Sequence, residues 1–247
     1  MTTSPDHAII LTVGDEITSG DVANTNGTWL AQRLAAIGLT VLMLAAVRDD
    51  VGEIADAVRA ARERCALLVV TGGLGGTPDD VTREAVAEAF GVPLELHRGA
   101  ADLLHGRFPD RTHAYVDRFA QLPAGALPVT NPLGGAPGFR LGNVLVLAGV
   151  PAEMMATFEA CEEALEAEHG CPPIRSVRLA YSTTESDIVD VLERASSGHP
   201  GVSVGSYPHY EDGHKRVEIV LKSSDPGALE AARRWLESAV GEALATR

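Results

Sequence analysis

Apolar runs of strand length alternate with segments of helical periodicity through the first two thirds of the chain. Four runs rich in Val, Ile and Leu, at residues 8–13, 39–46, 66–71 and 144–148, are typical of strands buried on both faces. Helical spacing covers about residues 22–37 and 51–65, and further helices are predicted over 78–90 and 152–168. This β-α-β-α-β order predicts an α/β domain with a mainly parallel sheet wrapped by helices.

The pattern changes after Cys171-Pro172-Pro173, because proline ends the preceding acidic helix. We therefore predict two domains, 1–170 and 171–247. The second is predicted as a small α+β unit with strands at 174–181, 202–207 and 216–222 and a last helix at 226–245. Its first helix is expected to open with a capping box formed by Ser182 and Glu185. Between the two regular patterns, residues 108–137 are predicted as mostly irregular, with one helix near 112–121.

Charge excludes several classes of partner. The 247 residues carry a net charge of −14, of which −12 falls in residues 1–170. Nucleic-acid backbones require a basic face, so no nucleic-acid partner is expected, whereas a bound metal cation suits this balance. No apolar run approaches the ~20 residues of a membrane span, so we expect no membrane partner. The N-terminus lacks the basic start of a signal peptide, and the three cysteines form no Cys-x-x-Cys pair, so a cytoplasmic protein is predicted.

The most informative motif is TGGLGGTPDDVT at residues 71–82, where a predicted strand ends and a helix begins. Glycines there let backbone amides approach a phosphate, and the helix N-terminus favours negative charge. It is neither a P-loop nor a dinucleotide fingerprint, since Gly-Lys-Ser/Thr and the third glycine are missing. An alternative stays open. Thr77 and Asp80 have capping-box spacing around Pro78, so Asp80 could simply cap its helix.

Two more acidic turns follow strands of the same domain, one at residues 14–21 and one at 48–50. Because the loops after parallel strands meet at one sheet edge, carboxylates of Asp15, Asp49 and Asp80 are expected to converge. Carboxylates beside a phosphate loop repel the ligand unless a divalent cation such as magnesium or manganese lies between them. The alternative for the second turn is that Asp50 caps the following helix.

A glycine- and proline-rich loop covers residues 131–139, and a second glycine turn, GVPAEM, covers 149–154. Asn131 could hydrogen-bond the edge of a ligand ring, or it could form a turn. The turn at Gly149 and Pro151 is also explained by the start of a helix. Glycines in so many neighbouring loops nevertheless suggest a close approach of backbone to a ligand.

Together these motifs resemble the N-terminal module of the CinA (competence/damage-inducible protein A) family. The resemblance rests on Gly14-Asp15-Glu16, the 72–82 loop, the 131–138 loop and the 149–154 turn, in that order. Thr184-Glu185-Ser186 and residues 204–208 are similar to the small KH-like subdomain that follows in this family. Gly198-His199-Pro200-Gly201 spells the G-x-x-G of RNA-binding KH domains, but we predict a helix-to-strand turn with a cap at Gly198, because basic neighbours are missing.

The resemblance implies a three-layer α/β/α, molybdopterin-binding fold shared with MogA, MoaB, gephyrin and MoeA domains. It implies a nucleotide or pterin ligand, and metal-dependent cleavage of ADP-ribose into AMP and ribose 5-phosphate, with Mg, Mn or Co as the metal. Two catalytic aspartates of the relatives map onto Asp49 and Asp80. Expected ligand contacts are Gly14, Asp15, Glu16, Gly72, Gly73, Gly75, Gly76, Thr77, Asn131, Gly135, Pro137 and Gly138, and expected metal ligands are Asp15, Asp49 and Asp80.

Two departures from the family pattern are visible. Gly76 stands where the family has proline, and a chain ending at Arg247 is expected to lack the nicotinamide mononucleotide deamidase domain of full-length CinA.

Three functions stay open. The first is a metal-dependent pyrophosphatase in which the 72–76 amides hold the diphosphate; the others are a non-catalytic binding module for molybdopterin or a nucleotide, and molybdopterin adenylyl transfer. The resemblance also implies a homo-oligomer, dimer or trimer.

Overall fold

The computed structural model describes residues 7–169, 172–211 and 214–245. The chain divides into two compact units, with the division between residues 171 and 172. Within the described residues, no helix combines the length and apolar character needed to cross a membrane.

The first unit is built on a six-stranded sheet with the order β2-β1-β3-β8-β7-β6. The strands β1, β2, β3 and β8 are parallel, while β7 runs antiparallel to both of its neighbours. The strand bounds are β1 His7–Val13, β2 Thr40–Val47, β3 Leu67–Thr71, β6 Leu127–Val129, β7 Gly138–Leu141 and β8 Val144–Leu147, and a separate antiparallel pair consists of β4 Leu94–Leu96 and β5 Gln121–Pro123. The predicted mainly parallel α/β sheet is confirmed.

Helices cover both faces of this sheet, as the alternating pattern predicts. Their bounds are α1 Asp15–Thr18, α2 Thr25–Ala36, α3 Val51–Arg62, α4 Thr82–Phe90, α5 Arg98–Arg107, α6 His113–Ala120 and α7 Pro151–His169. Alternate residues of β1 enter two different cores: Ile9 and Leu11 pack with α3 and α4, whereas Ala8 and Ile10 pack with α2 and α7. The buried strands thus form the middle layer of three and hold the loops at their ends in fixed positions.

Three predictions about elements were wrong. The strand β2 is not buried on both faces, because it lies at the sheet edge and exposes alternate residues. The helix α4 begins at Thr82 and not at Pro78, since the backbone from 78 to 81 forms a turn beside the glycine loop. The region 108–137 contains short strands as well as the predicted helix, and the helix α5 just before it was not predicted.

The second unit is an antiparallel sheet with two helices, as predicted for a small α+β fold. Its sheet has the order β10-β11-β9, and the bounds are β9 Arg175–Tyr181, α8 Val189–Gly198, β10 Ser203–Glu211, β11 His214–Ser223 and α9 Pro226–Ala245. The predicted capping box at Ser182 and Glu185 was wrong, because Thr184 and Asp187 form the box around a short 3-10 turn. Residues 198–201 link a helix to a strand as predicted, although the cap falls on His199.

Candidate functional site

A cavity of about 460 Å³ opens where the four parallel strands end. Each of the loops that follow these strands contributes to its wall, as expected for the carboxyl edge of an open α/β sheet. The wall consists of Val13, Gly14, Glu16, Asp49, Gly72, Gly73, Leu74, Gly75, Asp79, Asp80, Phe119, Gly135, Ala136, Ala148, Gly149, Val150 and Glu153. The cavity therefore combines glycines from four loops with five carboxylates.

The glycine loop after β3 is held from both sides by charged side chains. One carboxylate oxygen of Asp80 accepts the N–H of Gly75 at 2.7 Å, and the other accepts the N–H and the hydroxyl of Thr77 at 2.9 and 2.6 Å. Arg83, which is 4% exposed, donates to the carbonyls of Leu74 and Gly75 at 2.7 and 2.6 Å. The bond from the N–H of Thr77 to Asp80 is one half of the capping box that was the alternative, but α4 begins only at Thr82, so Asp80 fixes the loop and does not cap the helix.

This arrangement decides which amides of the loop are free to bind an anion. The N–H groups of Gly75 and Thr77 are engaged by Asp80, and the N–H of Gly72 donates to the carbonyl of Leu147 at 3.1 Å. Within the described part of the chain, the N–H groups of Gly73, Leu74 and Gly76 have no protein acceptor. Consecutive free amides in a glycine turn form the concave donor set that binds phosphate elsewhere.

The glycines of these loops are required by contacts within the protein. A Cβ on Gly75 would lie 2.3 Å from a carboxylate oxygen of Asp80, and one on Gly135 would lie 2.0 Å from that of Glu153. Gly72 has φ +113°, and its Cβ would lie 2.1 Å from the carbonyl oxygen of Val13. Glycine here allows the carboxylates and strand ends to pack directly against the loop backbone.

Asp15 and Asp49 join the first two loops by reciprocal hydrogen bonds. The Asp49 carboxylate accepts the backbone N–H of Asp15 at 2.8 Å, and the Asp15 carboxylate accepts that of Asp49 at 3.4 Å. The Asp15 side chain also faces Arg48 at 3.3 Å and is 61% exposed. Asp15 thus braces the Asp49 loop from outside the cavity, while the neighbouring Asp50 caps α3 through the N–H of Glu53, as the alternative predicted.

Asn131 builds the third loop and positions Glu153. Its side chain is 2% exposed, donates to the carbonyl of Ala136 and to the carboxylate of Glu153 at 3.2 and 2.8 Å, and accepts the N–H of Leu133 at 3.0 Å. The turn interpretation of Asn131 therefore accounts for its contacts. Through Asn131, the carboxylate of Glu153 is fixed at the cavity wall.

Comparisons with known proteins agree with this architecture. Residues 9–167 match the family described as a probable molybdopterin binding domain, and residues 173–247 match the FAD synthase middle domain. A CinA-like protein of Parasynechococcus marenigrum is 41% identical over 256 residues, which covers 94% of this chain but 59% of that relative. The chain belongs to the CinA-like molybdopterin-binding-domain family.

Two further proteins are similar to this chain over most of their own length. A protein of Pyrobaculum arsenaticum is 36% identical over 235 residues, covering 91% of this chain and 88% of that protein. The crystal structure of the protein CinA from Thermoplasma acidophilum is similar at a TM-score of 0.62 and 34% identity, covering 66% of this chain and 99% of that structure. This chain spans 59% of the length of the CinA-like relative from Parasynechococcus, so the activity of that whole protein is not transferred here.

The structure brings eight of the expected site residues of this CinA-like chain to the cavity. They are Gly14, Glu16, Asp49, Gly72, Gly73, Gly75, Asp80 and Gly135. Gly76 and Thr77 line a neighbouring cavity of about 250 Å³ on the other side of the glycine loop. Asp15 and Asn131 brace the site from outside the wall, and Pro137 and Gly138 are buried at the start of β7.

Three groups at the cavity were missed as site residues by sequence reasoning. Glu153 lies in the 149–154 motif, in the first turn of α7, and nothing in the sequence connects it to the other loops. Asp79 also lines the cavity, next to Asp80, and its sequence position alone does not distinguish the two aspartates. Phe119 comes from the helix α6, far along the chain, and no local signal connects it to the glycine loop.

Crowded carboxylates make the cavity electronegative. Burial raises the pKa of Asp49, and the negative charges of Asp15, Glu16 and Asp79 raise it further. The hydrogen bond from the N–H of Asp15 lowers it. A cation beside Asp49 would offset the repulsion from these neighbouring carboxylates.

The donor set fits a hard divalent cation only with help from a ligand. Among the described residues, no group of three or more His, Cys, Asp or Glu side chains is arranged so that it could hold a metal by itself. Magnesium is commonly held by one or two carboxylates, with water and substrate phosphate oxygens completing its shell. Such a site fits the wall of this cavity, where carboxylates and free amides face a common space.

The two described cysteines do not supply a nucleophile to this site. Burial raises the pKa of Cys65 to about 11 and that of Cys161 to about 11. A thiol with so high a pKa carries almost no thiolate at neutral pH, and neither residue lines the cavity. The chemistry of the cavity thus depends on carboxylates and backbone amides.

Proposed function

We propose that this CinA-like module hydrolyses a diphosphate-bridged nucleotide such as ADP-ribose, with a divalent metal as cofactor. The observation that carries the proposal is the cavity at the sheet edge, where free amides of the glycine loop lie beside the carboxylates of Asp49 and Asp80. Amides without protein acceptors favour an anionic ligand, and carboxylates favour a cation. A diphosphate with a bound divalent cation satisfies both sets of groups.

The names of the similar proteins support the ligand class. The first unit matches a probable molybdopterin binding domain, and the second matches a domain of FAD synthase. FAD contains two phosphates that bridge two organic groups, as ADP-ribose does. FAD and ADP-ribose thus share a diphosphate bridge with a ring at one end, and we choose the proposed substrate from this class.

Each group of the site has a role in the proposed reaction. The N–H groups of Gly73 and Leu74 bind the diphosphate oxygens, and the buried Arg83 holds the carbonyls of Leu74 and Gly75. Asp49 and Asp80 would hold the metal, together with the diphosphate itself. When bound, the metal would neutralise phosphate charge and lower the pKa of water from ~15.7 towards ~7.

The reaction balances without a further reactant. Water attacks one phosphorus, the bond from that phosphorus to the bridging oxygen breaks, and the bridging oxygen leaves with the second phosphate. ADP-ribose and water thus give AMP and ribose 5-phosphate. Glu16, Asp79 and Glu153 lie on the cavity wall and could accept the proton released from water.

The test is an assay of AMP release from ADP-ribose and from FAD with magnesium, manganese or cobalt. We expect turnover that stops when EDTA is added. Asp49→Asn is expected to lower kcat/KM by about 100-fold or more, the scale of a lost electrostatic contact in a transition state.

Asp50→Asn is the matched control for the Asp49 variant. It removes one carboxylate from the adjacent position, and asparagine caps helices about as well as aspartate, so activity should stay within about twofold of wild type. No AMP from either substrate with any metal would overturn the proposal. If nucleotides then raised the melting temperature without forming product, the module would be a binding domain.

A further inference from the structure

A smaller cavity of about 110 Å³ adjoins the main one. The two share Phe119, Gly135 and Ala136, and the remaining wall of the smaller cavity consists of Phe108, Arg111 and Tyr115. A whole small-molecule ligand usually occupies about 300–1,000 Å³. The smaller cavity, here called the aromatic side cavity, therefore suits one part of a ligand whose remainder lies in the main cavity.

Two rings in the aromatic side cavity pack against each other, and one of them, Tyr115, is exposed together with Phe108. Tyr115 and Phe119 meet edge to face with their centres 5.1 Å apart. Tyr115 is 44% exposed and Phe108 is 37% exposed. Aromatic residues left open beside a polar site present flat apolar surface on which another planar ring can pack.

Gly76 connects the aromatic side cavity to the glycine loop. A Cβ at Gly76 would lie 3.0 Å from the Phe119 ring and 3.1 Å from the Tyr115 ring, so both rings rest on the backbone of the loop. The same helix also supplies Arg118, which donates to the carbonyl of Gly76 at 3.1 Å. A proline at position 76 would displace these rings, and this chain has glycine there.

Arg111 adds a positive charge to a wall that is otherwise apolar. Its guanidinium forms no hydrogen bond or ion pair with the described residues, in a unit rich in acidic side chains. A guanidinium can lie over a planar ring or donate to the acceptor atoms at the ring edge. Both contacts suit a nitrogen heterocycle better than a sugar or an alkyl chain.

We propose that the aromatic side cavity binds the planar nitrogen heterocycle of the ligand whose diphosphate lies on the glycine loop. The inference rests on the proposed diphosphate site for its orientation, because the shared wall at Phe119 leads from one cavity to the other. Adenine and pterin rings share the required chemistry. The side cavity would thereby determine which diphosphates the module accepts.

The decisive variant is Tyr115→Ala, studied by calorimetric titration with AMP, ribose 5-phosphate and neopterin. Loss of one stacking partner corresponds to ~1–3 kcal/mol, or about 5- to 150-fold in Kd. We expect AMP or neopterin to bind that much more weakly, while binding of ribose 5-phosphate, which has no such ring, stays unchanged. Tyr115→Phe keeps the ring and should bind like wild type.

Two more variants complete the experiment, one as a control and one as a second test of the side cavity. Leu103→Ala removes a 72% exposed side chain from α5 and serves as the matched control without effect. Gly76→Ala has no unfavourable φ to overcome, yet its methyl group would lie 3.0 and 3.1 Å from the two rings, which must shift slightly to admit it. We therefore expect Gly76→Ala to raise KM for ADP-ribose while kcat changes little.

The outcomes separate this inference from the proposed function. If wild type hydrolyses ADP-ribose but Tyr115→Ala binds AMP and neopterin as wild type does, the ring site is overturned and the hydrolase stands. If neopterin binding depends on Tyr115 and no nucleotide is cleaved, the ring site stands and the hydrolase fails. Wild-type protein that binds neither AMP nor neopterin overturns the ring site outright.

Discussion

Two aspartates that look equivalent along the chain have different physical roles. Asp80 accepts three hydrogen bonds from its own loop, so its carboxylate is part of the structure of that loop. Asp49 accepts one backbone N–H, and its charge is opposed by burial and by neighbouring acids. Replacing each carboxylate by an amide should separate these roles.

We predict that Asp80→Asn destabilises the protein and Asp49→Asn does not. The side-chain NH₂ of asparagine cannot accept a hydrogen bond, so in Asp80→Asn the donors on Gly75 or Thr77 lose a partner, at a cost of about 1–3 kcal/mol. An amide at Asp49 can still accept the N–H of Asp15 and removes an unfavourable charge. Its melting temperature in EDTA at pH 7 should equal or exceed that of wild type.

The measurement is thermal unfolding of both variants without metal, followed by the activity assay. Both variants should lose turnover, but only Asp80→Asn should also lose stability. An unchanged melting temperature for Asp80→Asn would mean that the three hydrogen bonds contribute nothing. A clear loss of stability for Asp49→Asn would assign Asp49 a structural role instead.

Among the elements, the central strands are predicted well, because a strand covered by helices on both faces is apolar at nearly every position. β1 and β3 are mostly apolar and lie between two helical layers. The edge position of β2 could not be predicted, because TVLMLAAV is as apolar as a central strand. Apolar composition does not reveal how many neighbours a strand has.

The start of α4 shows why local signals failed at the site itself. Pro78 at a first helical position and Asp80 three residues after Thr77 satisfy the rules for a helix start. Asp80 does accept the N–H of Thr77, as these rules require, but it also accepts the N–H of Gly75, and the helix begins only at Thr82. The choice depends on Arg83 and on the strand ends that hold the loop, contacts that lie beyond the motif.

Predicting α5 would have required contacts from distant segments too. Its sequence RGAADLLHGR contains two glycines and few apolar residues, although Ala100, Ala101 and Leu104 are buried. They pack with Val116 and Ala120 of α6 in a small separate core. Since α6 carries Phe119 and Tyr115, the side cavity could not be foreseen without this helix pair.

An ion pair near the end of α7 yields a pH-dependent prediction. Arg140 on β7 donates to both carboxylate oxygens of Glu168, one of them at 2.7 Å, and this hydrogen bonding lowers the pKa of Glu168 below its ordinary value near 4.5. The stabilisation is therefore complete above pH 4.5 and is lost as the pH falls through the lowered pKa. The Glu168 side chain is 47% exposed, so screening limits the effect to about 0.5–1 kcal/mol.

We expect Glu168→Gln to lower the free energy of unfolding by that amount at pH 7 and by progressively less below pH 4.5. Urea denaturation of wild type, Glu168→Gln, Arg140→Gln and the double variant gives the coupling energy at each pH. A coupling that stayed constant between pH 7 and pH 4 would show that the pair does not act through the charge of Glu168.

At the scale of the whole molecule, only a small part of the acidic side chains lies at the candidate site. Of the 34 acidic side chains, five line the main cavity: Glu16, Asp49, Asp79, Asp80 and Glu153. In the proposed reaction these five hold the metal or accept a proton, and the net charge of −14 favours cations near the cavity. The same charge opposes close contact between copies, so any self-association must depend on apolar surface.

The edge strand β2 is where we expect such an association. It pairs with β1 alone among the described strands, and it exposes Leu42 and Leu44 by 45% and 42% on one face. An uncovered apolar edge favours pairing with a second copy, and lysine at such an edge blocks it. We predict that the wild-type protein is a dimer or trimer by light scattering at about 50 µM, as the family resemblance implies. The double variant Leu42→Lys, Leu44→Lys is expected to be a monomer.

The control is Leu103→Lys, at an exposed position of α5, which should leave the assembly unchanged. A monomeric wild-type protein at this concentration would contradict the prediction.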